Sequence, residues 1–224
     1  MSAAEEIPQT LAVLFEPGQV VELRAFKGRT TASGYFDDHE ALAAEAVGLD
    51  RKLYQVYVTL NEINPVLLAR AANRLLEYPK ATTSDRDVVR LRWLPLDFDP
   101  VRPSNVSSSA EEKRAAKRRA QEVRHFLRGE GWPDPVVGDS GNGYHLLYGI
   151  DLPNTQESRD LLKGVLDSLA FRFDDEQVKV DTSVHNPARI WKLYGTVARK
   201  GDSVESRPYR CSRVVKVPSQ RERA

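Results

Sequence analysis

The chain has 224 residues, and its 33 lysines and arginines nearly balance 32 aspartates and glutamates, for a formal net charge of +1. Any site for a polyanion must therefore be a local patch. The single cysteine, Cys211, excludes an internal disulfide framework. No apolar stretch is long enough to span a bilayer, and residues 1–10 are too polar for a signal peptide. These features predict a soluble, cytoplasmic protein with no membrane partner.

The first 90 residues predict a small α/β module. Four segments have the alternation and flanking turns of strands: 11–15, 19–26, 34–36 and 53–60. Two segments predict helices, one from 37 to about 47 and one from 64 to about 78. Asp37 and Asp38 are natural caps for the first helix, and Asn64 followed by Pro65 is a typical start for the second.

An acidic pair ends the most apolar predicted strand, residues 91–96. In a strand Asp97 and Asp99 point to the same side, and Pro100 then stops regular structure. Two carboxylates so close together repel unless a positive charge lies between them, and Mg²⁺ or Mn²⁺ supplies that charge well. A solvated acidic pair at a strand end is the alternative interpretation.

From residue 91 onward the predicted order is strand, helix, strand, strand, helix, strand. Two capping boxes fit the start of the first helix, Ser108 with Glu111 and Ser109 with Glu112, and Asn154 or Thr155 caps the second. The last strand is predicted at 189–197. This βαββαβ order predicts an α+β class, with an antiparallel sheet of the ferredoxin-like or RNA-recognition-motif (RRM) kind and two helices behind it.

Three further features add chemistry to the acidic pair. The glycine-rich turn at 140–143 offers backbone N–H groups to a phosphate, and His145 follows it. Asp181 is a third carboxylate, at the end of a short apolar segment. Basic side chains come next, at Arg189, Lys192 and Lys200. Taken alone, each feature has a structural explanation; jointly they favour a site for a metal-bound triphosphate.

The motifs that carry these residues resemble the archaeo-eukaryotic primase superfamily. They are Leu-Asp-Phe-Asp-Pro at 96–100, Ser-Gly-Asn-Gly-Tyr-His at 140–145, Val-Asp-Thr-Ser at 180–183 and Asn-Pro-Ala-Arg-Ile-Trp-Lys-Leu-Tyr-Gly-Thr at 186–196. The narrower resemblance is to the primase-polymerase branch of bacterial, mobile-element and CRISPR-associated proteins. It covers residues 34–218, with the motifs in the same order and spacing.

The resemblance implies one catalytic domain in which an N-terminal α/β module (1–90) packs on an RRM-like catalytic module (91–205). We expect the basic segment 206–224 to be an exposed arm or to lead to further domains. The implied activity is a DNA primase-polymerase, a metal-dependent nucleotidyltransferase that synthesises primers on single-stranded DNA and extends them with dNTPs or NTPs. Helicase, zinc-binding or CRISPR-related domains or proteins are the implied additional partners.

The resemblance also implies residue roles. Asp97, Asp99 and Asp181 would hold two Mg²⁺ or Mn²⁺ ions and form the catalytic centre. The implied nucleotide-binding residues are Ser140, Asn142, Gly143, His145, Arg189, Lys192 and Lys200. The candidates for contacts with the sugar or the template are Tyr57, Asn61 and Arg102.

Two other functions compete with this interpretation. One keeps the fold without catalysis, as a nucleotide-binding or single-stranded-DNA-binding module of a replication protein; three acids at a polyanion site argue against it. The other is a metal-dependent glycosyltransferase, in which an Asp-x-Asp motif binds a sugar nucleotide; it leaves the 140–145 motif and Asp181 unexplained.

Overall fold

The computed structural model describes residues 3–219 of the chain. In that range four α-helices occur: α1 (Ala3–Leu14), α2 (His39–Arg51), α3 (Ala110–Gly129) and α4 (Gln156–Phe173). The strands of the N-terminal part are β1 (Val21–Lys27), β2 (Thr30–Phe36), β3 (Gln55–Thr59), β4 (Glu62–Ile63) and β5 (Leu76–Glu77). The later strands are β6 (Val88–Pro100), β7 (Val136–Asp139), β8 (Tyr144–Pro153), β9 (Val178–Val180), β10 (Ile190–Lys192), β11 (Val197–Ala198), β12 (Arg210–Cys211) and β13 (Arg213–Lys216).

The N-terminal sheet has the strand order β10-β3-β1-β2-β5, and each neighbouring pair is antiparallel. Val56 and Val58 of β3 are buried, whereas Gln55 and Tyr57, which alternate with them, are only partly buried. Helix α2 begins where Asp38 accepts hydrogen bonds from the N–H groups of Glu40 and Ala41, which confirms the predicted cap. The partly buried face of β3, with Gln55 and Tyr57, lines a cavity.

The second sheet has the order β13-β7-β8-β6-β4, and β9 pairs with the far end of β6. Along the chain β6, α3, β7, β8, α4 and β9 give the predicted βαββαβ order, with the spatial strand order β9-β6-β8-β7 and antiparallel neighbours throughout. Helices α3 and α4 begin at their predicted caps, Ser109 and Thr155. This pairing brings the end of β6 next to the start of β8 and the end of β9.

The prediction of a strand at residues 11–15 is wrong. Helix α1 covers most of that segment and buries Ile7, Leu11 and Leu14, whose spacing of four and three residues matches one helical face. A window starting at residue 11 shows only the last turn of that pattern. The helix packs against α2, and the carbonyl oxygen of Leu14 accepts a hydrogen bond from Trp93 Nε1 of β6.

The predicted helix from 64 to 78 is also wrong in its length. Asn64 accepts a hydrogen bond from the N–H of Val66 as a cap should, but only a short 3₁₀ helix, Pro65–Arg70, follows. Asn73 and Tyr78 both have left-handed backbone angles, with φ of 49° and 53°, which an α-helix does not accommodate. The segment between them turns back to form β5 on the edge of the N-terminal sheet.

The predicted last strand, 189–197, is divided between two places. Residues 190–192 form β10, which pairs with β3 of the N-terminal sheet, and residues 197–198 form β11, which pairs with β12. The strand that completes the βαββαβ order is β9, at 178–180. Gly195, with φ of 93°, breaks the segment between β10 and β11.

Part of the C-terminal basic segment belongs to the fold and is not an exposed arm. Strand β13 pairs with β7, and Arg207 forms a salt bridge of 2.7 Å with Glu112 of α3. Residues 220–224 of the predicted segment lie outside the described residues. Within residues 3–219, no helix combines the length and apolarity needed to cross a bilayer.

Candidate active site

A cavity of about 360 Å³ lies between the two sheets, where β10 of one meets the ends of β6 and β9 of the other. Ten of the thirteen predicted site residues line it: Tyr57, Asp97, Asp99, Ser140, Asn142, His145, Asp181, Arg189, Lys192 and Lys200. The other three, Asn61, Gly143 and Arg102, are outside the lining. Residues far apart in the chain thus meet at one place.

The pairing of β6 explains how the acidic residues come together. Asp97 lies opposite His145 of β8 in the strand register. On the other side of β6, the N–H of Asp181 donates a hydrogen bond of 2.9 Å to the carbonyl oxygen of Asp97. Alternation along β6 places Asp97 and Asp99 on one side of the sheet, and Phe98 between them is buried.

Asp97 is held beside a histidine. The Nε2 atom of His145 lies 3.4 Å from Asp97 Oδ1, and the Asp97 side chain is 26% exposed. Burial acts to raise the pKa of Asp97, but the attraction and hydrogen bond of His145, with Lys200 and Arg102 farther away, outweigh burial and hold that pKa below its ordinary value. The carboxylate is therefore ionised at neutral pH.

Asp99 has two cationic neighbours. Its Oδ1 is 2.9 Å from the Arg102 guanidinium, and its Oδ2 is 3.9 Å from Lys200 Nζ. The Asp99 side chain is 43% exposed. Arg102, predicted as a sugar or template contact, is thus a partner of Asp99 and not part of the cavity wall.

Asp181 caps the short 3₁₀ helix Thr182–His185, because its Oδ1 accepts a hydrogen bond of 2.8 Å from the N–H of Ser183. Asp181 also lines the cavity. Across the described range, 3–219, no three His, Cys, Asp or Glu side chains stand close enough to enclose a metal ion. The three aspartates share one cavity and supply the hard oxygen donors that Mg²⁺ and Mn²⁺ prefer, so the chemistry of the donors suits such an ion although the three carboxylates are not gathered around one point.

Three of the four N–H groups of the glycine-rich turn at 140–143 are already bonded within the protein. The N–H of Ser140 donates to the carbonyl oxygen of Gly143, that of Gly141 to Asp139, and that of Gly143 to Ser140 Oγ. A Cβ at position 143 would lie 2.3 Å from the carbonyl oxygen of Phe98. The turn therefore serves close packing on β6, and only the side chains of Ser140 and Asn142 face the cavity.

Two cations of the cavity wall are held in place by the protein. The Lys192 ammonium donates a hydrogen bond of 3.0 Å to the carbonyl oxygen of Val197 and lies 5.5 Å from the Tyr57 ring centre. Burial lowers the pKa of Lys192 to about 7. The Arg189 guanidinium donates to the carbonyl oxygen and Oγ of Ser183.

The two predicted sugar contacts differ in their surroundings. Tyr57 lines the cavity, and its ring meets that of Phe26 edge to face at 5.8 Å. Asn61 is buried: its amide nitrogen donates to the carbonyl oxygen of Pro187, and its oxygen accepts from the N–H groups of Arg92 and Trp93. Because these bonds hold its side-chain amide, Asn61 joins segments of the fold and does not face the cavity.

Sequence reasoning missed two aromatic residues beside His145. The Trp191 ring packs against the imidazole at a tilt of 47°, with ring centres 4.2 Å apart, and the Tyr194 hydroxyl lies 2.8 Å from His145 Nδ1. Both residues belong to the 186–196 motif, but nothing in their spacing indicates a contact with residue 145. The contact with His145 becomes apparent only in the structure, where β10 and the turn that follows it lie against β8.

No protein-family model matches the sequence, and no curated protein matches it. Among solved structures, the crystal structure of primase RepB′ matches with a TM-score of 0.53 and 11% identity over 97% of this chain. The catalytic domain of primase RepB′ in complex with initiator DNA matches with a TM-score of 0.51 and 11% identity over 98% of this chain. The chain spans 57% of the first structure's length and 87% of the second's. At this identity the likeness is one of fold: the chain has the mixed α/β architecture of a primase catalytic domain.

Proposed function

We propose that the protein is a DNA primase-polymerase that joins nucleotides on a single-stranded DNA template. The observation that carries this proposal is one cavity lined by Asp97, Asp99 and Asp181 together with cationic side chains. Acids alone would repel a triphosphate, and cations alone would only bind it. Their combination suits metal-dependent transfer of a nucleotidyl group, and the fold shared with a primase catalytic domain agrees with it.

The chain's own residues divide between two tasks. Asp97, Asp99 and Asp181 would hold the divalent ions, with Arg102 and Lys200 as countercharges to Asp99 before the ions bind. When bound, two such ions supply activation of the primer 3′-hydroxyl and stabilisation of the leaving pyrophosphate. Arg189 and Lys200 would neutralise triphosphate charge, and His145, Ser140 and Asn142 would donate hydrogen bonds to it.

Tyr57 is the candidate for contact with the sugar of the incoming nucleotide. Its ring is fixed between Phe26 and the Lys192 ammonium on the cavity wall. Burial, and to a smaller extent the Asp97 charge, raises the pKa of Tyr57, so the hydroxyl stays neutral. A fixed neutral ring suits selection between ribose and deoxyribose by shape.

The template strand would enter along a second cavity that adjoins the first. This groove, of about 460 Å³, is lined by residues that include Phe26, Arg29, Tyr78 and Lys80, and Phe26 lines both cavities. No carboxylate in the described part of the chain pairs with Arg29 or Lys80. Tyr78 is 69% exposed. Cations beside the exposed ring of Tyr78 suit a single strand, which needs phosphate contacts and stacking surfaces.

A polymerase and a glycosyltransferase are distinguished by the ligand that each binds. In a thermal-unfolding assay with Mn²⁺, we expect a nucleoside triphosphate to raise the Tm. A sugar nucleotide should raise the Tm no more than its nucleoside diphosphate part does alone. The Asp97→Asn, Asp99→Asn variant should lose the Mn²⁺-dependent part of this shift. Protection by a sugar nucleotide that exceeds the triphosphate's would overturn the proposal in favour of a glycosyltransferase.

A catalytically silent DNA-binding module is the second candidate function. The ion pairs that Asp99 makes with Arg102 and Lys200 favour it, because these cations already compensate the carboxylate. Nucleotide incorporation decides between the two candidates. The narrower assignment to a CRISPR-associated branch, and helicase or zinc-binding partners, stay predictions from the sequence motifs.

A further inference from the structure

His145 is held by a chain of hydrogen bonds that the proposed catalytic roles do not use. Trp191 Nε1 donates to the Tyr194 hydroxyl at 3.1 Å, and that hydroxyl lies 2.8 Å from His145 Nδ1. All three side chains are buried, with exposed fractions of 4% or less. We call this set, Trp191, Tyr194 and His145, the aromatic relay.

The direction of the hydrogen bonds follows from the donors available. An indole N–H can only donate, so the Tyr194 oxygen accepts from Trp191. The single hydroxyl proton of Tyr194 must then go elsewhere, and among the described residues His145 Nδ1 is the acceptor within reach. If Nδ1 carried a proton instead, the Tyr194 proton would be buried without an acceptor, which is costly. Burial raises the pKa of Tyr194 well above its ordinary value, so this proton is retained.

The fold makes room for this hydroxyl at one residue. Gly138 of β7 lies opposite His145 in the strand register. A Cβ at position 138 would lie 2.1 Å from the Tyr194 hydroxyl oxygen, a distance at which two such atoms cannot coexist. The relay therefore requires a residue without a side chain at this position.

We propose that Tyr194 is a positioning residue for His145. Its hydroxyl, oriented by Trp191, donates to Nδ1 and fixes the neutral tautomer in which Nε2 carries the proton. That N–H points toward Asp97 and the cavity, where it serves as a preset donor to a phosphate oxygen of the incoming nucleotide. The phosphate part of this inference rests on the proposed function; the tautomer does not.

The test is ¹⁵N NMR of histidine-labelled protein at about pH 8, where a histidine of ordinary pKa is neutral. The chain has four histidines, and the His145→Gln variant assigns the His145 signals by their loss. We expect a protonated Nε2 and an unprotonated, hydrogen-bonded Nδ1 in the unmodified protein. A proton on Nδ1 would overturn the proposal.

Tyr194→Phe tests the role of the hydroxyl. We expect the Nδ1 resonance to move toward that of a nitrogen without a hydrogen bond, and the KM for the nucleotide to rise about tenfold with DNA affinity unchanged. Tyr148→Phe is the matched control. Tyr148 is equally buried, lies on β8, and its hydroxyl has no hydrogen-bond partner among the described residues. An unmoved Nδ1 signal in Tyr194→Phe, or an equal shift in the control, would contradict the proposal.

Trp191→Phe provides a second variant in case Tyr194→Phe does not fold. It keeps an aromatic ring on His145 but removes the N–H that orients Tyr194, so the population with a proton on Nδ1 should increase. The tautomer is measured without turnover. An inactive protein with the expected tautomer would overturn only the polymerase proposal, and an active one with a proton on Nδ1 would overturn only the relay.

Discussion

Lys192 is the residue whose burial has the clearest consequence for stability. Its side chain is 7% exposed, and burial brings its pKa to about 7, well below the value of a lysine in an unfolded chain. Between these two pKa values the unfolded chain holds a proton that the folded protein lacks. The contribution of Lys192 to stability therefore rises with pH above about 7, and it is least favourable below that pH.

The Lys192→Met variant isolates this effect. Compared with the variant, the unmodified protein should gain about 2 kcal/mol in free energy of unfolding between about pH 7 and pH 9, since each pKa unit is worth about 1.4 kcal/mol. Urea unfolding of both proteins at several pH values measures the difference. Parallel stability curves would show that Lys192 titrates normally in the folded protein.

Tyr57 carries the prediction for sugar selection. Replacing Tyr57 with alanine removes the ring that Phe26 and Lys192 hold in place, so the ratio of kcat/KM values for ribo- and deoxynucleotides should move toward one by about tenfold. Tyr57→Phe keeps the ring and should retain the preference if shape decides. Single-nucleotide incorporation assays measure both ratios, and an unchanged ratio in the alanine variant would exclude Tyr57 from sugar selection.

At the scale of elements, the cap of α3 can be predicted from its local sequence. The same cap also anchors the C-terminal part of the fold. Ser109 Oγ accepts from the N–H of Glu112, and the Glu112 carboxylate binds both the Ser109 N–H and the Arg207 guanidinium. The Ser109→Ala variant should lose about 1 kcal/mol of stability in urea unfolding. Ser168→Ala, an exposed serine within α4, should be neutral or slightly stabilising. Equal losses in the two variants would argue against the cap.

The elements predicted well are those with local signals. Asp38, Ser109 and Thr155 were each one of two neighbouring residues predicted as a cap, because a cap needs only its own turn, and β6 was found because its apolar run is long. Apart from the segment 11–15, where the local helical pattern of α1 was missed, the errors in helices and strands occur where pairing between distant segments decides. Residues 76–77 leave the predicted helix to pair with β2, and residues 190–192 leave the predicted sheet to pair with β3. Such partners lie outside any sequence window.

At the scale of the molecule, the groove lined by Arg29 and Lys80 shares Phe26 with the first cavity, and we expect this groove to bind DNA. Each phosphate contact to a single strand contributes about 0.7 to the slope of log affinity against log salt. The Arg29→Ala, Lys80→Ala variant should therefore bind single-stranded DNA more weakly and with a slope reduced by about 1.4.

The control for this variant is Arg159→Ala, Lys163→Ala on α4, which removes the same charge from a surface outside the two cavities. Fluorescence anisotropy over a range of salt concentrations measures both slopes. A control that weakens binding as much as the groove variant would show a general charge effect and no defined template path.

The site as a whole was more predictable than its detailed contacts. Acids and cations in three motifs indicated a common cavity, and ten of the thirteen predicted residues line it. The sequence did not indicate that three N–H groups of the 140–143 turn donate to acceptors in the turn and to Asp139, or that Tyr194 reaches His145. The Tyr194 contact depends on the two sheets meeting, which residue types and spacing do not encode.

The most direct test of the account is primer synthesis on unprimed single-stranded DNA with labelled nucleotides and Mg²⁺ or Mn²⁺. The unmodified protein and an Asp97→Ala, Asp99→Ala double variant would be compared, with extension of a primed template in parallel. We predict products that require the metal and vanish in the double variant; extension alone would narrow the function to a polymerase without initiation. No incorporation on either template by a folded protein that still binds DNA would contradict catalysis and leave a binding module.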